Sequence, residues 1–308
     1  MPRSYLFYLL PLFLLGCNQE PPEYAIVYNV LVDEASVNYD LVIMGLDGSD
    51  KTILAQAPGV EWTYTTKNQS IFFISDRGAT HREYYLYSLN VRNGSIKQVS
   101  NLRLADSWQS IRANGDMAVK LYDNFSQFHI LNSSGEIINT IETGLPYASD
   151  PCFSPDGEMI AFRGGQAASK VSGNFNESLY LIKTDGTGLK AISDYPEADT
   201  TAAWYDYKVG PPKWHPKEDF ISYQSFQNGK YSLYASTPDG SKHWKLTDNE
   251  ENEGWHSWSS DGKWLAIELF DKEQSQFHIG LMSWDSKEMS ILTDSTYKYQ
   301  QAPVFVLR

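Results

Sequence analysis

The amino-acid sequence predicts an all-β protein, a six-bladed β-propeller with four antiparallel strands in each blade. Two observations lead to this fold class. Short apolar segments alternate with tight turns along the chain of 308 residues, and no segment has the pattern of a long amphipathic helix. In addition, two sequence phrases recur at an interval typical of one propeller blade, which indicates a repeat architecture.

The first phrase is an aromatic or apolar anchor followed by four turn residues, two variable residues and three apolar or small residues. Its clearest copy is "FSPDGEMIAF", which starts at Phe153. Six copies align, with anchors at Tyr64, Ile111, Phe153, Trp214, Trp258 and Phe305. Successive anchors are about 45 residues apart, the spacing of a blade, except for one longer interval that indicates an insertion.

The second phrase is a strand, an Asp-Gly-type turn and another strand, as in "LYLIKTDGTGLKAIS" (179–193). Asp-Gly and Asn-Gly between apolar segments are the strongest local signal for a β-hairpin, because such turns need positive φ angles. Hairpins of this kind are predicted at residues 41–54, 86–100, 128–140, 179–193, 233–247 and 279–293. Six anchors alternating with six hairpins give four strands per blade.

Closure of the ring is predicted to use both ends of residues 24–308, which we interpret as a single propeller domain. The terminal "PVFVLR" supplies an innermost strand, and "YAIVY" (24–28) supplies its neighbour in the same blade. Sharing one blade between both ends removes the exposed edges of an open ring.

The first residues of the chain do not belong to the repeats and have the pattern of a targeting segment. Residues 1–16 read as an export signal in which the apolar run of residues 5–15 is too short to span a bilayer, which takes ~20 residues. The ending Leu-Leu-Gly-Cys resembles a bacterial lipobox. That resemblance implies a lipid on Cys17, which would anchor the chain to a membrane through a tether at residues 17–23. An ordinary signal peptide with a chance Cys17 is the alternative.

The net charge and the cysteine content limit which binding partners and which covalent links are expected. The net charge of −13 would repel a phosphate backbone, so nucleic acid is excluded as a partner. With Cys17 lipidated, Cys152 has no partner within the chain, so the exported domain is expected to fold without disulfides, as a monomer.

A family resemblance rests on these repeats. "FSPDGEMIAF", "FFISDRG" and "LYLIKTDGTGLKAIS" resemble the repeats of TolB-like propellers, which occur in bacterial envelope proteins and at the N-termini of some peptidases. The resemblance covers residues 24–308 and implies a cell-envelope location, at the outer membrane on its periplasmic or surface side. This repeat is architectural and its families differ in function. Because Tyr24 already enters the ring, we expect no counterpart of the N-terminal α/β domain of TolB.

The two faces of the ring are predicted to differ. Turns between the first and second strands and between the third and fourth strands share one side, which we call the turn face. The second-to-third loops, the blade-to-blade loops and the residues before each anchor lie on the other side, the open face. The longest insertions, residues 164–178 and 194–210, belong to the open face, where loops on a rigid scaffold typically build binding sites.

Candidate ligand-binding residues therefore come from the open face. They are Trp108, Asp150, Trp204, Tyr205, Asp206, Tyr207, Trp255, His256, Asp76 and Arg77. The cluster 204–207 offers aromatic faces beside a carboxylate, suited to a sugar or a peptide, or alternatively packs its insertion onto the rim. The Asp76–Arg77 pair could hold a carboxylate of a ligand, or could fasten its own loop through an Asx turn.

No catalytic residue, cofactor or metal is predicted. The sequence contains no Gly-x-Ser-x-Gly, His-Glu-x-x-His or P-loop motif. Of the six histidines, only His256 and His81 are expected on the open face, which is too few for a metal site.

Three functions remain open at this point. The first is a non-catalytic, lipid-anchored envelope propeller that binds a peptide, a protein partner or a glycan on its open face. The alternative is a carbohydrate-active lyase or hydrolase with its site at the channel mouth. Convergence of His256, Asp150 and Glu61 at that mouth would favour the enzyme, and an apolar, closed mouth would favour binding. A detached relative of peptidase propellers is a third possibility, although no hydrolase domain follows Arg308.

Overall fold

The computed structural model describes residues 23–166 and 176–308, which form a ring of six four-stranded antiparallel sheets. The predicted fold class is confirmed. The described residues contain no helix, and hence none with the length and hydropathy to span a bilayer. The predicted signal segment, Cys17, the tether up to residue 22 and residues 167–175 of the first long insertion lie outside the described residues.

Twenty-four strands make up the described ring. The first twelve are β1 (Tyr24–Asp33), β2 (Asn38–Gly45), β3 (Thr52–Ala55), β4 (Glu61–Lys67), β5 (Ser70–Ser75), β6 (Tyr85–Asn90), β7 (Ile96–Gln98), β8 (Ser110–Ile111), β9 (Met117–Val119), β10 (Gln127–Leu131), β11 (Ile137–Glu142) and β12 (Tyr147–Phe153). The others are β13 (Met159–Gly165), β14 (Glu177–Lys183), β15 (Lys190–Ala191), β16 (Lys213–Trp214), β17 (Ile221–Gln227), β18 (Lys230–Ser236), β19 (His243–Lys245), β20 (Asn252–Trp258), β21 (Trp264–Phe270), β22 (Phe277–Ser283), β23 (Met289–Ile291) and β24 (Gln300–Leu307).

Each blade follows the same order from the channel outwards. Blade 1 is β24-β1-β2-β3, and blades 2 to 6 take the following strands in groups of four, from β4–β7 to β20–β23. The innermost strands are therefore β24, β4, β8, β12, β16 and β20, and they contain or lead into the six predicted anchors.

The ring closes within blade 1, as predicted. Strand β24 pairs antiparallel with β1, with Tyr24 opposite Leu307 and Ile26 opposite Phe305. The Tyr24 and Phe305 rings meet edge to face with centroids 5.8 Å apart, inside a core shared with blade 6. Apolar side chains of both chain ends thus fill one inter-blade layer, and the closing strand is a full member of the sheet.

Polar turns occupy the turn face because their side chains satisfy their own backbone. In "SPDG", Asp156 Oδ1 accepts from the backbone N–H of Glu158 at 3.0 Å, and Gly157 adopts a φ of 75° that favours glycine. The same i to i+2 hydrogen bond recurs at Asp47, Asp185, Asp239 and Asp261. The repeated motif therefore stabilises tight turns, and its carboxylates already accept hydrogen bonds from the backbone of their own turns.

A cavity opens at each end of the central channel. The open-face funnel has a volume of about 630 Å³ and is lined by residues that precede the anchors, including Trp108, Asp150 and Trp255. The turn-face cavity has a volume of about 590 Å³ and is lined by the anchors and the turns after them, including Phe153 and Pro155. This arrangement matches the division of the loops between the two faces.

Candidate functional site

The open-face funnel is the candidate site, because it combines nine aromatic side chains with charges of both signs. The inner strands position it: each runs from the open face to the turn face, so their first residues form the funnel wall. Glu34 and Arg82 lie on the wall from neighbouring loops, and Asp106 is exposed within the funnel, where its carboxylate accepts a hydrogen bond from the Tyr64 hydroxyl.

Aromatic rings form the floor of the funnel. Trp62 of blade 2 and Trp255 of blade 6 meet at 90° with centroids 5.6 Å apart, and Trp108 of blade 3 lies 6.0 Å from Trp255. Tyr64 lies 4.9 Å from Trp108. Edge-to-face contacts of this kind contribute ~0.5–1.5 kcal/mol each beyond the burial of area. Aromatic rings of blades 2, 3 and 6 therefore meet at the base of the funnel.

Asp150 forms part of the wall in an unusual backbone conformation. It has a φ of 61° at a bulge, where the pairing of β12 with β13 shifts between Ser149 and Cys152. The bulge turns its carboxylate toward blade 3, where Oδ1 accepts from the backbone N–H of Trp108 at 2.9 Å and from the Ser107 hydroxyl at 3.2 Å. Asp150 therefore ties two blades together and fixes the position of Trp108.

A buried guanidinium completes this wall. Arg163 Nε donates to Asp150 Oδ2 at 2.6 Å, and its Nη1 donates to Glu177 Oε1 at 2.5 Å. Burial alone would raise the pKa of Asp150, but Arg163 and the backbone hydrogen bond hold that pKa below its ordinary value. The guanidinium carbon also lies 4.8 Å from the centroid of the Tyr207 ring. Asp150 is thus an ionised carboxylate with a structural role, and its charge is paired with the guanidinium of Arg163.

The predicted cluster at residues 204–207 divides into three parts. Tyr207 turns into the funnel against Arg163. Asp206 points back into its own loop, where it accepts from the Tyr231 hydroxyl at 2.9 Å and from the Ala203 N–H at 2.9 Å. Trp204 and Tyr205 project from the rim with 66% and 63% of their surface exposed. Asp206 therefore secures the loop that presents the two exposed rings.

Exposed aromatic residues are concentrated on the open face. Among the described residues five are exposed, and four of these lie on open-face loops: Tyr122, Phe125, Trp204 and Tyr205. The fifth, Trp244, lies on the outer strand β19. Sequence reasoning missed Tyr122 and Phe125 because their loop is short, although its position between the second and third strands of blade 3 was a signal. Large apolar side chains gathered on one face are typical of interaction surfaces.

His256 does not line either cavity. It lies on β20 directly after Trp255, but it is only 2% exposed, and its Nε2 is 2.7 Å from the Ser222 hydroxyl of blade 5. Burial lowers the pKa of His256 to about 3, so the imidazole is neutral. Its position supports the packing of blade 5 against blade 6.

Asp76 and Arg77 have separate partners. Asp76 Oδ1 accepts from the Val60 N–H at 2.7 Å and Oδ2 accepts from the Arg82 N–H at 2.8 Å, so this carboxylate fastens its own loop. Arg77 donates to Glu61 and lies over the rings of Phe73 and Tyr87 in the same blade.

The three residues whose convergence would favour an enzyme are not brought together. Glu61 is paired with Arg77, Asp150 with Arg163, and His256 with Ser222. Within residues 23–166 and 176–308, no group of three or more His, Cys, Asp or Glu side chains is suited to hold a metal ion. The roles of the ten candidate residues in ligand binding stay predictions.

Comparison with known proteins identifies the fold. No family model matches the sequence, and no curated protein matches it. A solved structure described as TolB from Agrobacterium tumefaciens has a TM-score of 0.61 and 14% identity, over 89% of this chain and 90% of that one. A chain of the nidogen/laminin complex has a TM-score of 0.65 and 7% identity, over 92% of this chain and 98% of that one. The tricorn protease has a TM-score of 0.60 and 14% identity, over 89% of this chain and 26% of that one.

The chain therefore has a TolB-like six-bladed propeller fold, which confirms the resemblance stated from its repeats. At these identities the likeness concerns the fold alone.

Proposed function

We propose that this chain is a non-catalytic, lipid-anchored propeller of the bacterial cell envelope that binds a segment of a protein partner in its open-face funnel. The observation that carries the proposal is the concentration of exposed aromatic side chains on the face that carries the funnel. Tyr122, Phe125, Trp204 and Tyr205 lie on two open-face loops, and the funnel on that face is itself lined by aromatic residues. Aromatic anchors are the residues most often responsible for the affinity of protein interfaces.

The funnel has the dimensions and rigidity of a binding site. Its volume of about 630 Å³ falls within the ~300–1,000 Å³ typical of ligand pockets. The ties from Asp150 to Trp108 and Arg163 hold its wall in place before a ligand arrives. A rigid site loses little conformational entropy on binding, which favours affinity.

A protein segment fits this lining better than a sugar ring does. A sugar stacks on an open aromatic face, but Trp62 and Trp255 meet edge to face, so the edge of one ring occupies a face of the other. The charged groups, Glu34, Arg82 and Asp106, offer partners of both signs, as the side chains of a peptide require. A chain in the nidogen/laminin complex, which shares this fold, occurs in a protein assembly.

The proposed anchor would present the open face away from the membrane. Tyr24, the first residue of β1, pairs with Leu307 and lines the turn-face cavity, so the chain enters the ring at the turn face. Arg308 N–H donates to the Glu23 carbonyl at 3.0 Å and holds this entry point. A lipid on Cys17, a few residues earlier, would place the turn face toward the bilayer. The Cys17→Ser variant should then leave the membrane fraction.

Partner capture tests the binding role. The full-length chain and a Phe125→Ala/Trp204→Ala variant are used to retain partners from envelope extracts, followed by affinity measurement with the retained protein. Both side chains are exposed, so the fold is unaffected, and we expect affinity to fall roughly tenfold or more. An Ile138→Ala/Ile291→Ala variant, altered at exposed positions on outer strands, is the matched control and should bind normally. Equal capture by all three chains, or binding to glycans alone, would contradict the proposal.

A further inference from the structure

The turn-face cavity has a lining that the proposed function does not use. Three cationic side chains line it, Lys67, Arg112 and Lys213, and none of its lining residues is an Asp or a Glu. In a chain with a net charge of −13, a cavity of about 590 Å³ without carboxylates is a local reversal of charge. Such a reversal favours a negatively charged occupant.

Lys213 is the innermost of these cations. It belongs to blade 5, yet its Nζ lies 4.0 Å from the centroid of the Trp108 ring of blade 3, so the side chain crosses beneath the floor of the open-face funnel. In the part of the chain that the structure describes, this ammonium has the Trp108 ring as a contact and no carboxylate or hydrogen-bond acceptor. Burial lowers the pKa of Lys213, and the nearby Cys152 and Asp150 offset this shift only in part.

Two neutral polar groups that line the same cavity also lack partners among the described residues. The Gln109 side chain of blade 3 is 2% exposed, and neither its Oε1 nor its Nε2 has a hydrogen bond among the described residues. The Ser257 hydroxyl of blade 6 is 8% exposed and likewise unpartnered there. Both residues line the turn-face cavity. An unpaired buried amide or hydroxyl costs ~1–3 kcal/mol, so the presence of two of them in the same cavity as the Lys213 ammonium points to a common partner.

We propose that the turn-face cavity is an oxyanion site that binds a phosphate group through Lys213, Gln109 and Ser257. An ammonium, an amide N–H and a hydroxyl are the donors that a phosphate oxygen accepts from, and here they come from three blades around one axis. Lys67 and Arg112 lie nearer the turns and add positive potential along the cavity. Lys67 Nζ donates to the Ala113 carbonyl at 2.8 Å, and Arg112 pairs with Asp116, so Lys213 carries the specific interaction.

The phosphate group could be free or belong to a lipid headgroup, and the two sources have the same chemistry at the site. The turns that line the cavity carry the carboxylates of Asp156 and Asp261, which would repel an anionic membrane surface. A small free phosphate enters past these turns more readily. The site is separate from the open-face funnel, so this proposal stands or falls independently of the proposed function.

Calorimetric titration of the purified full-length chain with inorganic phosphate, at constant ionic strength set with sodium chloride, tests the site. We expect saturable binding of one phosphate per chain and a change in the fluorescence of Trp108, Trp214 or Trp258. A second titration uses vesicles of phosphatidylglycerol and phosphatidylcholine. Binding that depends on Lys213 in the vesicle titration alone would identify the headgroup as the source.

Two variants and a control separate binding from folding. Lys213→Gln removes the charge at similar length and should weaken phosphate binding roughly tenfold or more. Gln109→Leu replaces the unpaired amide with an apolar group of similar size, so it should weaken binding while the fold is at least as stable. Lys190→Gln removes an exposed charge from an outer strand and should leave binding unchanged. Absence of saturable phosphate binding in both titrations, or equal affinity in Lys213→Gln, would overturn the proposal.

Discussion

The replacement Glu268→Gln should remove the loss of stability that Glu268 causes as the pH rises from about 5 to about 8. Glu268 lies on β21 of blade 6, 4% exposed, and its Oε2 accepts from the Ala302 N–H at 3.1 Å. No cation pairs with it among the described residues, and burial raises its pKa to about 8. The carboxyl group is therefore protonated at neutral pH in the folded protein.

The sign and the size of this change in the free energy of unfolding follow from the linkage between proton binding and folding. Between pH 4.5 and about 8 the folded state holds a proton that the unfolded state releases, so stability falls as pH rises through this window. At ~1.36 kcal/mol per pH unit, a pKa raised from 4.5 to about 8 corresponds to a loss of about 5 kcal/mol above pH 8. Glutamine keeps the side-chain length and an acceptor for Ala302, and it does not ionise.

Urea unfolding followed by tryptophan fluorescence at pH 5 to 9 measures the effect. Relative to Glu268→Gln, the wild type should lose stability steadily from pH 5 to about pH 8, so that the difference between the two chains grows by several kcal/mol between pH 5 and pH 9. Glu288→Gln, which alters an exposed carboxylate of the same blade, should follow the wild type. If wild type and Glu268→Gln have parallel profiles, Glu268 is already ionised when folded and the reasoning fails.

Three further predictions concern the fold. The pKa of His256 is about 3 in the folded protein and ordinarily 6.5, so the free energy of unfolding should fall as the pH drops below 6.5, by about 2 kcal/mol at pH 5. In acid unfolding, His256→Gln should remove this slope. An unchanged slope would mean that another group causes the loss of stability. Trp258→Ala should lower the free energy of unfolding by ~3 kcal/mol, because the ring packs 4.5 Å from His215 and 4.6 Å from Trp284, and a loss of a few tenths would refute its role as an anchor. Deletion of residues 303–308 should unpair β1 and abolish cooperative unfolding, whereas retention of the wild-type urea midpoint would show that closure is dispensable.

The fold could be predicted from the sequence because each turn motif specifies its turn through neighbouring residues alone. Asp-Gly turns and related tight turns at a regular spacing specify hairpins without long-range information, and six such hairpins alternate with the anchors to complete the ring. The pairing of the strand that begins at Tyr24 with the terminal strand also followed, since a ring needs its edges joined, whereas the register of that pair came from the structure. The same logic separated the loops of the two faces, because the chain direction alternates from strand to strand.

The directions of the side chains within the site could not be predicted from the sequence. Trp255 and His256 are adjacent, yet only Trp255 reaches the funnel, and the bulge between Glu253 and His256 shifts the phase that alternation would give. The positive φ of Asp150 has the same effect on β12. Bulges depend on packing between blades, which a local pattern does not contain. Arg163 was missed because it lies mid-strand, where an apolar side chain is expected.

The most direct test of the binding role is photocrosslinking in the living cell. A photoreactive phenylalanine analogue replaces Phe125, Trp204 or Leu189 in turn, the first two on the open-face rim and the third an exposed apolar position on the turn face. We predict that Phe125 and Trp204 give an adduct with the same protein partner and that Leu189 gives none. Equal adducts from all three positions, or none from the open face, would contradict the account.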